Sequence, residues 1–405
     1  MKISIAATNP CHLYPLALEL ARRRSLGCYY SGYPAWKLGG TAGLPLRTHS
    51  LRTNIVYGLQ KFVPEGWRPE SKRLFRWQDH GFDRWTGAHL ESCDFVHAMP
   101  GQCLQIFRAA RRQGIRTVLN HATGPVREWV RIMEPEYARV GLRLTDVCPY
   151  DDTYFEREAE EYALTDWHCV ASTVVRDQLV ALGIDPRRVW RVPYGADARI
   201  FHHRGQRPPR PVAAGSLLEA TNEGGEPAPG SPDRSSAAAS RFRLVFAGQV
   251  GIRKGLRTLL EALALAQRAG WELHFYGAVL GEARRDLDAY RGATPLTFHG
   301  PVAPEALAEA FRSGSALVLP SLEEGFGLVV PQALNCGLPA IVSDRVGGKD
   351  FVRHRENGSI FPTGDAAALA SELLWWAENP RRVQETFGWS EPTEKLIEFS
   401  VAALT

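Results

Sequence analysis

Short apolar runs alternate with amphipathic stretches along this chain, and that rhythm restricts its fold more than any other feature. In the second half RLVFAG (243–248) precedes an amphipathic run from Leu256 to Ala269. ELHFYG (272–277), LTFHG (296–300), ALVLPS (316–321) and PAIVSD (339–344) follow, with helical stretches at 306–311 and near 328–336. The first half repeats the pattern more loosely. KISIAA (2–7), a helix near 14–24, DFVHAM (94–99), a helix near 103–113, RTVLNH (116–121), WHCVAS (167–172) and RVWRVP (188–193) succeed one another. Strands this short, alternating with helices, predict an α/β fold with doubly wound parallel sheets. Residues 33–93 give no clear rhythm, although SKRLFRWQDHGFDRWTGAHL reads as one helix.

The two halves are separated by GQRPPRPVAAGSLLEATNEGGEPAPGSPDRSSAAAS, between Arg204 and Arg241. Aromatics vanish there, and such a segment cannot bury enough apolar surface to offset the entropy of ordering it. The expected organisation is a Rossmann-like domain over 1–204, a flexible linker or insertion over 205–241 and a second Rossmann-like domain over 242–380. A helical segment over 381–405 is expected to pack back on the first domain. Two such domains face a cleft, with ligands outside the carboxyl ends of the strands.

Composition narrows the class. The 405 residues are 44% hydrophobic and 23% charged, ordinary globular values that exclude collagen-like, disordered and coiled-coil chains. No run of about 18 apolar residues exists to span a membrane. The opening MKISIAATNP reads as a strand-like start, too short in apolar length for a signal peptide. Seven scattered cysteines without a CxxC or Cys/His cluster fit a reducing cytoplasm, and no metal site is expected. The net charge of +4 hides an asymmetry: residues 1–150 hold 21 Lys and Arg against 11 Asp and Glu. A basic half suits nucleic acid, an anionic membrane or a phosphorylated substrate, or is simply a solvated surface.

Two loops carry the chemistry. PSLEEGFGLVVPQAL (320–334) runs from a buried strand through an acidic loop and Gly325-Phe326-Gly327 into a helix. Amides at such a junction favour a phosphate, and glycines let a ligand approach. Glu324 at its mouth would accept hydrogen bonds from sugar hydroxyls; the alternative is that Glu323 and Glu324 merely complement a helix dipole. FAGQVGIRKG (246–255) places Arg253 and Lys254 after a strand and at a helix start, a geometry for holding a diphosphate. The alternative there is an exposed basic turn.

FAGQVGIRKGLRTLLEAL, HFYG, LTFHGPV, ALVLPSLEEGFGLVVPQALNCGLPAIVSD and NGSIF, in order, resemble the nucleotide-sugar domain of family-four retaining glycosyltransferases of the GT-B fold. EREAEEYALTDWHCVASTVVRDQL and VWRVPYGADARIF (156–201) resemble the same family's segment before the domain junction. The resemblance implies transfer from a UDP- or GDP-sugar to a hydroxyl acceptor, without a metal or other cofactor, in glycan or glycoconjugate assembly in the cytoplasm. Arg253 and Lys254 would neutralise the leaving diphosphate, and Glu324 would contact the donor sugar. Gly251, Gly325, Phe326, Gly327, Leu328 and Gln332 would line the donor. His121, in a loop facing the cleft, would lie near the reacting centre.

The chain departs from the family twice. The second glutamate of a Glu-x7-Glu pattern is Gln332 here, and a carboxamide offers one acceptor oxygen where a carboxylate offers two. The loop TNPCHLY (8–14) replaces a glycine-rich turn facing the acceptor. Gln332 leaves room for a catalytically weak nucleotide-sugar-binding partner subunit, and the fold for a nucleotide-sugar epimerase or hydrolase. No motif supports nucleic acid. Part of the positive surplus ends helices, where it suits the dipole. The rest would suit peripheral contact with an anionic membrane, although no long amphipathic anchor is evident.

Overall fold

The computed structural model describes residues 1–64, 67, 71–144, 148, 150–205 and 241–405. Almost all of the expected linker, residues 206–240, lies outside the described residues. The first sheet comprises β1 (Ile3–Ala7), β2 (Leu26–Ser31), β3 (Leu46–Thr48), β4 (Phe95–Ala98), β5 (Arg116–His121), β6 (Trp167–Val170) and β7 (Val189–Arg191), in the order 3-2-1-4-5-6-7. The second comprises β8 (Phe242–Ala247), β9 (Trp271–Tyr276), β10 (Leu296–Phe298), β11 (Ala316–Leu319), β12 (Ala340–Ser343) and β13 (Gly358–Phe361), in the order 10-9-8-11-12-13. Every strand pair is parallel. This is the expected α/β architecture of two doubly wound sheets.

Burial explains the continuous apolar runs. β1, β4, β8, β11 and β12 are buried at essentially every position, because helices cover both faces of a parallel sheet. In both sheets the order reverses beside the central strand, β1 next to β4 and β8 next to β11. The loops leaving those strands therefore diverge and open a crevice between them. Residues 33–93, opaque in sequence, contribute the edge strand β3 and the helices Leu51–Phe62 and Ser71–Ala88. The last is the single helix its pattern suggested.

Several contacts join the two sheets' layers. Ser172 caps the helix Thr173–Ala181 by accepting from the Val175 amide, and its hydroxyl also donates to the Gly325 carbonyl at 2.6 Å. Asp350 accepts from the Thr173 amide at 2.8 Å and lies 3.2 Å from the Arg191 guanidinium. The helix Ser390–Ala402 follows the second sheet in sequence but packs on the first. Leu396 is fully buried in that core, and Phe399 stacks on Trp190 with centroids 5.7 Å apart. Leu396→Ala should cost about 2–5 kcal/mol, the range for emptying a buried leucine site. Urea denaturation measures it; a loss within experimental error would show that this helix does not stabilise the first layer.

Candidate active site

Adjacent strands β8 and β11 deliver the two loops singled out in the sequence to one place. Gly255 makes the closest approach possible. Its backbone is left-handed, with φ of +71°, and a Cβ there would collide with the Pro320 carbonyl. The Leu322 amide then donates to the Arg253 carbonyl at 2.9 Å, tying loop to loop. On the other side the acidic loop is zipped to residues 345–347. The Glu324 amide donates to Arg345 O at 3.2 Å, and the Gly347 amide to Glu324 O at 2.9 Å.

These constraints place Arg253, Lys254, Glu323 and Glu324 in one cluster. Lys254 Nζ pairs with Glu324 Oε2, and Arg253 Nη1 lies 3.3 Å from the same oxygen. Arg253 Nη1 also donates to the Glu323 carbonyl at 3.0 Å. The Lys254 side chain is 11% exposed and that of Glu324 15%, so each charge needs the other. Burial opposes ionisation of Glu324, but Lys254 and Arg253 outweigh it and hold its carboxyl below the usual range. Glu323 behaves oppositely. Its burial outweighs the pull of Arg253 and raises its carboxyl, and its Oε1 is buried without a hydrogen-bond partner.

The glycine turn beyond is pressed against the first layer. A Cβ on Gly325 would lie 2.6 Å from Thr123 Cα and 2.7 Å from Ala122 O, so a glycine is needed there. The following helix, Val329–Asn335, is only seven residues, and Gln332 lies partly exposed on it. Its shortness weakens the dipole expected at its start. Among the described residues, however, the amides of Phe326, Gly327 and Leu328 have no backbone acceptor. Gly251 begins the turn before Arg253 and packs against Glu282, which accepts from the Ile252 amide at 3.1 Å.

The first domain covers this cluster. Ile132, Met133 and Tyr137 of the helix Val126–Arg139 pack with Ile252 and Leu322. A cavity of about 540 Å³ lies between them, lined among others by Arg139, Ile252, Gly255, Leu322 and Arg345. A larger groove of about 680 Å³ lies beyond the helix Leu256–Ala266, lined by Gln267, Asp286 and Tyr290; the four clustered residues line neither space. Among the described residues no group of three or more His, Cys, Asp or Glu is arranged to hold a metal ion.

His121 differs from its expected place in a loop. It is the last residue of β5, where the run RTVLNH itself ends, in register with Val170. Its ring is 1% exposed, with Nε2 2.9 Å from His168 Nδ1 and an edge-to-face contact with Tyr162. Burial, reinforced by His168, holds the imidazole neutral, far below its ordinary pKa. The His121 carbonyl accepts from the Tyr194 hydroxyl at 3.2 Å, and the Tyr194 ring meets Phe326 edge-on. His121 therefore reaches the glycine turn through its backbone.

A polar cluster invisible to sequence reasoning surrounds the loop after β1. Gln102 Oε1 accepts from the Thr8 amide and hydroxyl at 3.2 and 2.8 Å. Asn9 Oδ1 accepts from Gln78 Nε2 at 3.3 Å and the Tyr57 hydroxyl at 3.4 Å. Burial pushes the neighbouring Asp79 carboxyl up to about 7, although Thr8 and Arg157 draw it back. The only sequence signal was the placement of Gln78 and Asp79 on the long helix Ser71–Ala88.

Comparison with known proteins fits this geometry. Residues 241–379 match the family described as glycosyl transferases group 1. A D-inositol 3-phosphate glycosyltransferase of Thermomonospora curvata is 29% identical over 250 residues, covering 56% of this chain and 54% of that protein. The chain thus spans about half the length of the curated relatives it matches. Sucrose-phosphate synthase of Thermosynechococcus elongatus shares the fold with a TM-score of 0.63 at 17% identity, covering 100% of this chain and 99% of that one. Anabaena HepE, solved with UDP and glucose, superposes with a TM-score of 0.57 at 13% identity, covering 99% and 100%.

The raised carboxyl of Asp79 has a thermodynamic consequence. The folded state binds a proton there that the unfolded chain releases near the ordinary value of 3.8, so stability falls as pH rises from about 4 to about 7. Asp79→Asn should therefore raise the Tm, relative to wild type, more at pH ~8 than at pH ~4. An equal shift at both pH values would mean that Asp79 ionises normally.

Proposed function

We propose that this chain, whose residues 241–379 match the group 1 glycosyltransferases, moves a sugar from a UDP- or GDP-sugar to a hydroxyl acceptor, with retention at the anomeric carbon. The observation that carries this reading is the convergence of Arg253 and Lys254 on Glu324 at the carboxyl ends of β8 and β11. Two adjacent cations at a sheet's switch point match a diphosphate in charge and spacing. UDP bound to the similarly folded HepE supports a uridine donor.

In this reaction the bond from the anomeric carbon to the diphosphate oxygen breaks, and the acceptor oxygen bonds to that carbon on the same face. The acceptor proton passes to the departing phosphate. Arg253 and Lys254 stabilise charge developing on the diphosphate, the electrostatic contribution on which catalysis depends. They take the part that a metal plays in other transferases, so the reaction proceeds without one. As Lys254 turns to phosphate, the Glu324 carboxylate is released to accept hydrogen bonds from the sugar. Gly251 and Gly325 let the loops that hold the donor pack tightly against their neighbours, and the amides of Phe326, Gly327 and Leu328 face its oxygens. Gln332 meets the ribose with a single acceptor oxygen. His121, buried behind the turn it supports, acts as a positioning residue. The acceptor lies on the first-domain side, beside Asn9, Gln78 and Asp79, and belongs to glycan or glycoconjugate assembly in the cytoplasm, a setting that the seven free cysteines suit.

A thermal-shift series with UDP, GDP and ADP tests the donor. Ligand at a hundredfold its Kd stabilises the native state by about 2.7 kcal/mol, so the preferred base should stand out. Gln332→Glu should tighten binding of that nucleotide roughly tenfold by restoring a charged acceptor for the ribose. If no nucleotide raises the Tm of either protein, the donor reading is wrong.

A further inference from the structure

The helix Leu51–Phe62 is amphipathic in the wrong direction for a helix packed only on its own domain. Its inward residues are Thr53 and Val56, the sole buried positions, so its hold on the domain is narrow. Leu51, Ile55 and Phe62, spaced to share one face, point to solvent with exposures of 66%, 41% and 78%. Tyr57 is exposed on another side of the helix, and Trp67, just beyond the helix, is 85% exposed. An aromatic and aliphatic surface of this kind is unusual on a soluble face and marks an interaction site.

Its charges identify the partner. Residues 20–64 contain seven Lys and Arg and no Asp or Glu. Three of those cations sit against the exposed rings. Lys61 lies 5.3 Å from the Phe62 ring, Arg52 lies 4.5 Å from Trp77, and Lys37 lies 4.9 Å from the exposed Trp36. Tyr33 meets Tyr57 edge-on, so the turn bearing Trp36 and Lys37 adjoins the same helix. A second copy of the chain would bring these cations against their own equivalents, with no carboxylate in the stretch to answer them. Apolar side chains fringed by Trp, Lys and Arg instead match the boundary of an anionic bilayer, where rings and acyl-facing residues sink and cations meet phosphate.

We propose that the solvent face of the helix Leu51–Phe62, with Trp67, docks on an anionic lipid surface. The Tyr57 hydroxyl, on another side of the same helix, donates to Asn9 Oδ1 on the loop after β1, so the docking face lies one helix away from the mouth of the cleft. The inference shares the first-domain acceptor side with the transfer reaction above, yet it stands without any assumption about the donor.

Flotation of the full chain with vesicles tests it. Vesicles of equimolar phosphatidylcholine and phosphatidylglycerol should carry the protein at low salt, while pure phosphatidylcholine should not. Ile55→Ser and Phe62→Ser should each lower the bound fraction about tenfold, the effect of withdrawing one partly inserted large side chain. Lys61→Ala should weaken binding several-fold, and added salt should do the same. Nucleotide-induced thermal stabilisation of each variant, measured alongside, should stay at the wild-type value and shows that the fold and donor site are intact. Absence of wild-type binding to anionic vesicles overturns the proposal. So does equal binding of wild type and Phe62→Ser, or a wild-type dimer in sedimentation that Phe62→Ser dissociates.

Discussion

Two cations and a carboxylate, brought together where little water reaches, organise the second half of the molecule. Removing Lys254 and Arg253 from water is costly unless an anion answers them, and Glu324 is the carboxylate that meets both. The arrangement depends on β8 and β11 being neighbours and on Gly255 letting one loop rest on the carbonyl that ends the other strand. It also depends on residues 345–347, which hold the acidic loop by backbone hydrogen bonds. In the proposed reaction, a carboxylate that serves as counter-ion to two cations exchanges that role for contact with a sugar while the cations turn to phosphate. The pairing accounts for a stable loop, and under the proposed function the same groups receive a charged donor.

The second layer was legible because its strands are buried on both faces. Continuous apolar runs such as ALVLPS and PAIVSD suit a strand covered by helices above and below, and each of them contains such a strand, β11 and β12. Arg253, Lys254 and Glu324 were legible for a related reason, since charge at the end of a buried strand has to meet something. Their mutual pairing was not legible, because it arises across 70 residues of sequence. In the first layer LGCYYS escaped notice as β2, its glycine, cysteine and serine diluting the apolar pattern. The end of β5 at His121 is legible in RTVLNH, but the burial of its ring against His168 is not, because that partner comes from a neighbouring strand 47 residues on.

The polar interior of the first layer was hidden for a different reason. Asp79, Gln78, Asn9 and Thr8 come from two distant segments, and no spacing rule joins them. The helix Leu51–Phe62 was equally hidden. A search for an anchor looks for a long, strong amphipathic pattern, whereas here a short helix turns its apolar face outward and keeps only Thr53 and Val56 inward. Contacts between the layers, such as Ser172 with Gly325 and Asp350 with Thr173, likewise depend on the assembled fold.

The central claim is that Lys254 addresses phosphate. Isothermal titration of wild type and Lys254→Ala with UDP and with uridine tests it most directly, or with the GDP pair should guanine be preferred. A charge-assisted contact to a diphosphate is worth about 1.5–3 kcal/mol, so Lys254→Ala should weaken the nucleotide diphosphate by roughly ten- to hundredfold. The nucleoside should be affected less than about twofold, since the cation reaches only phosphate. Equal losses for the two ligands would contradict the account.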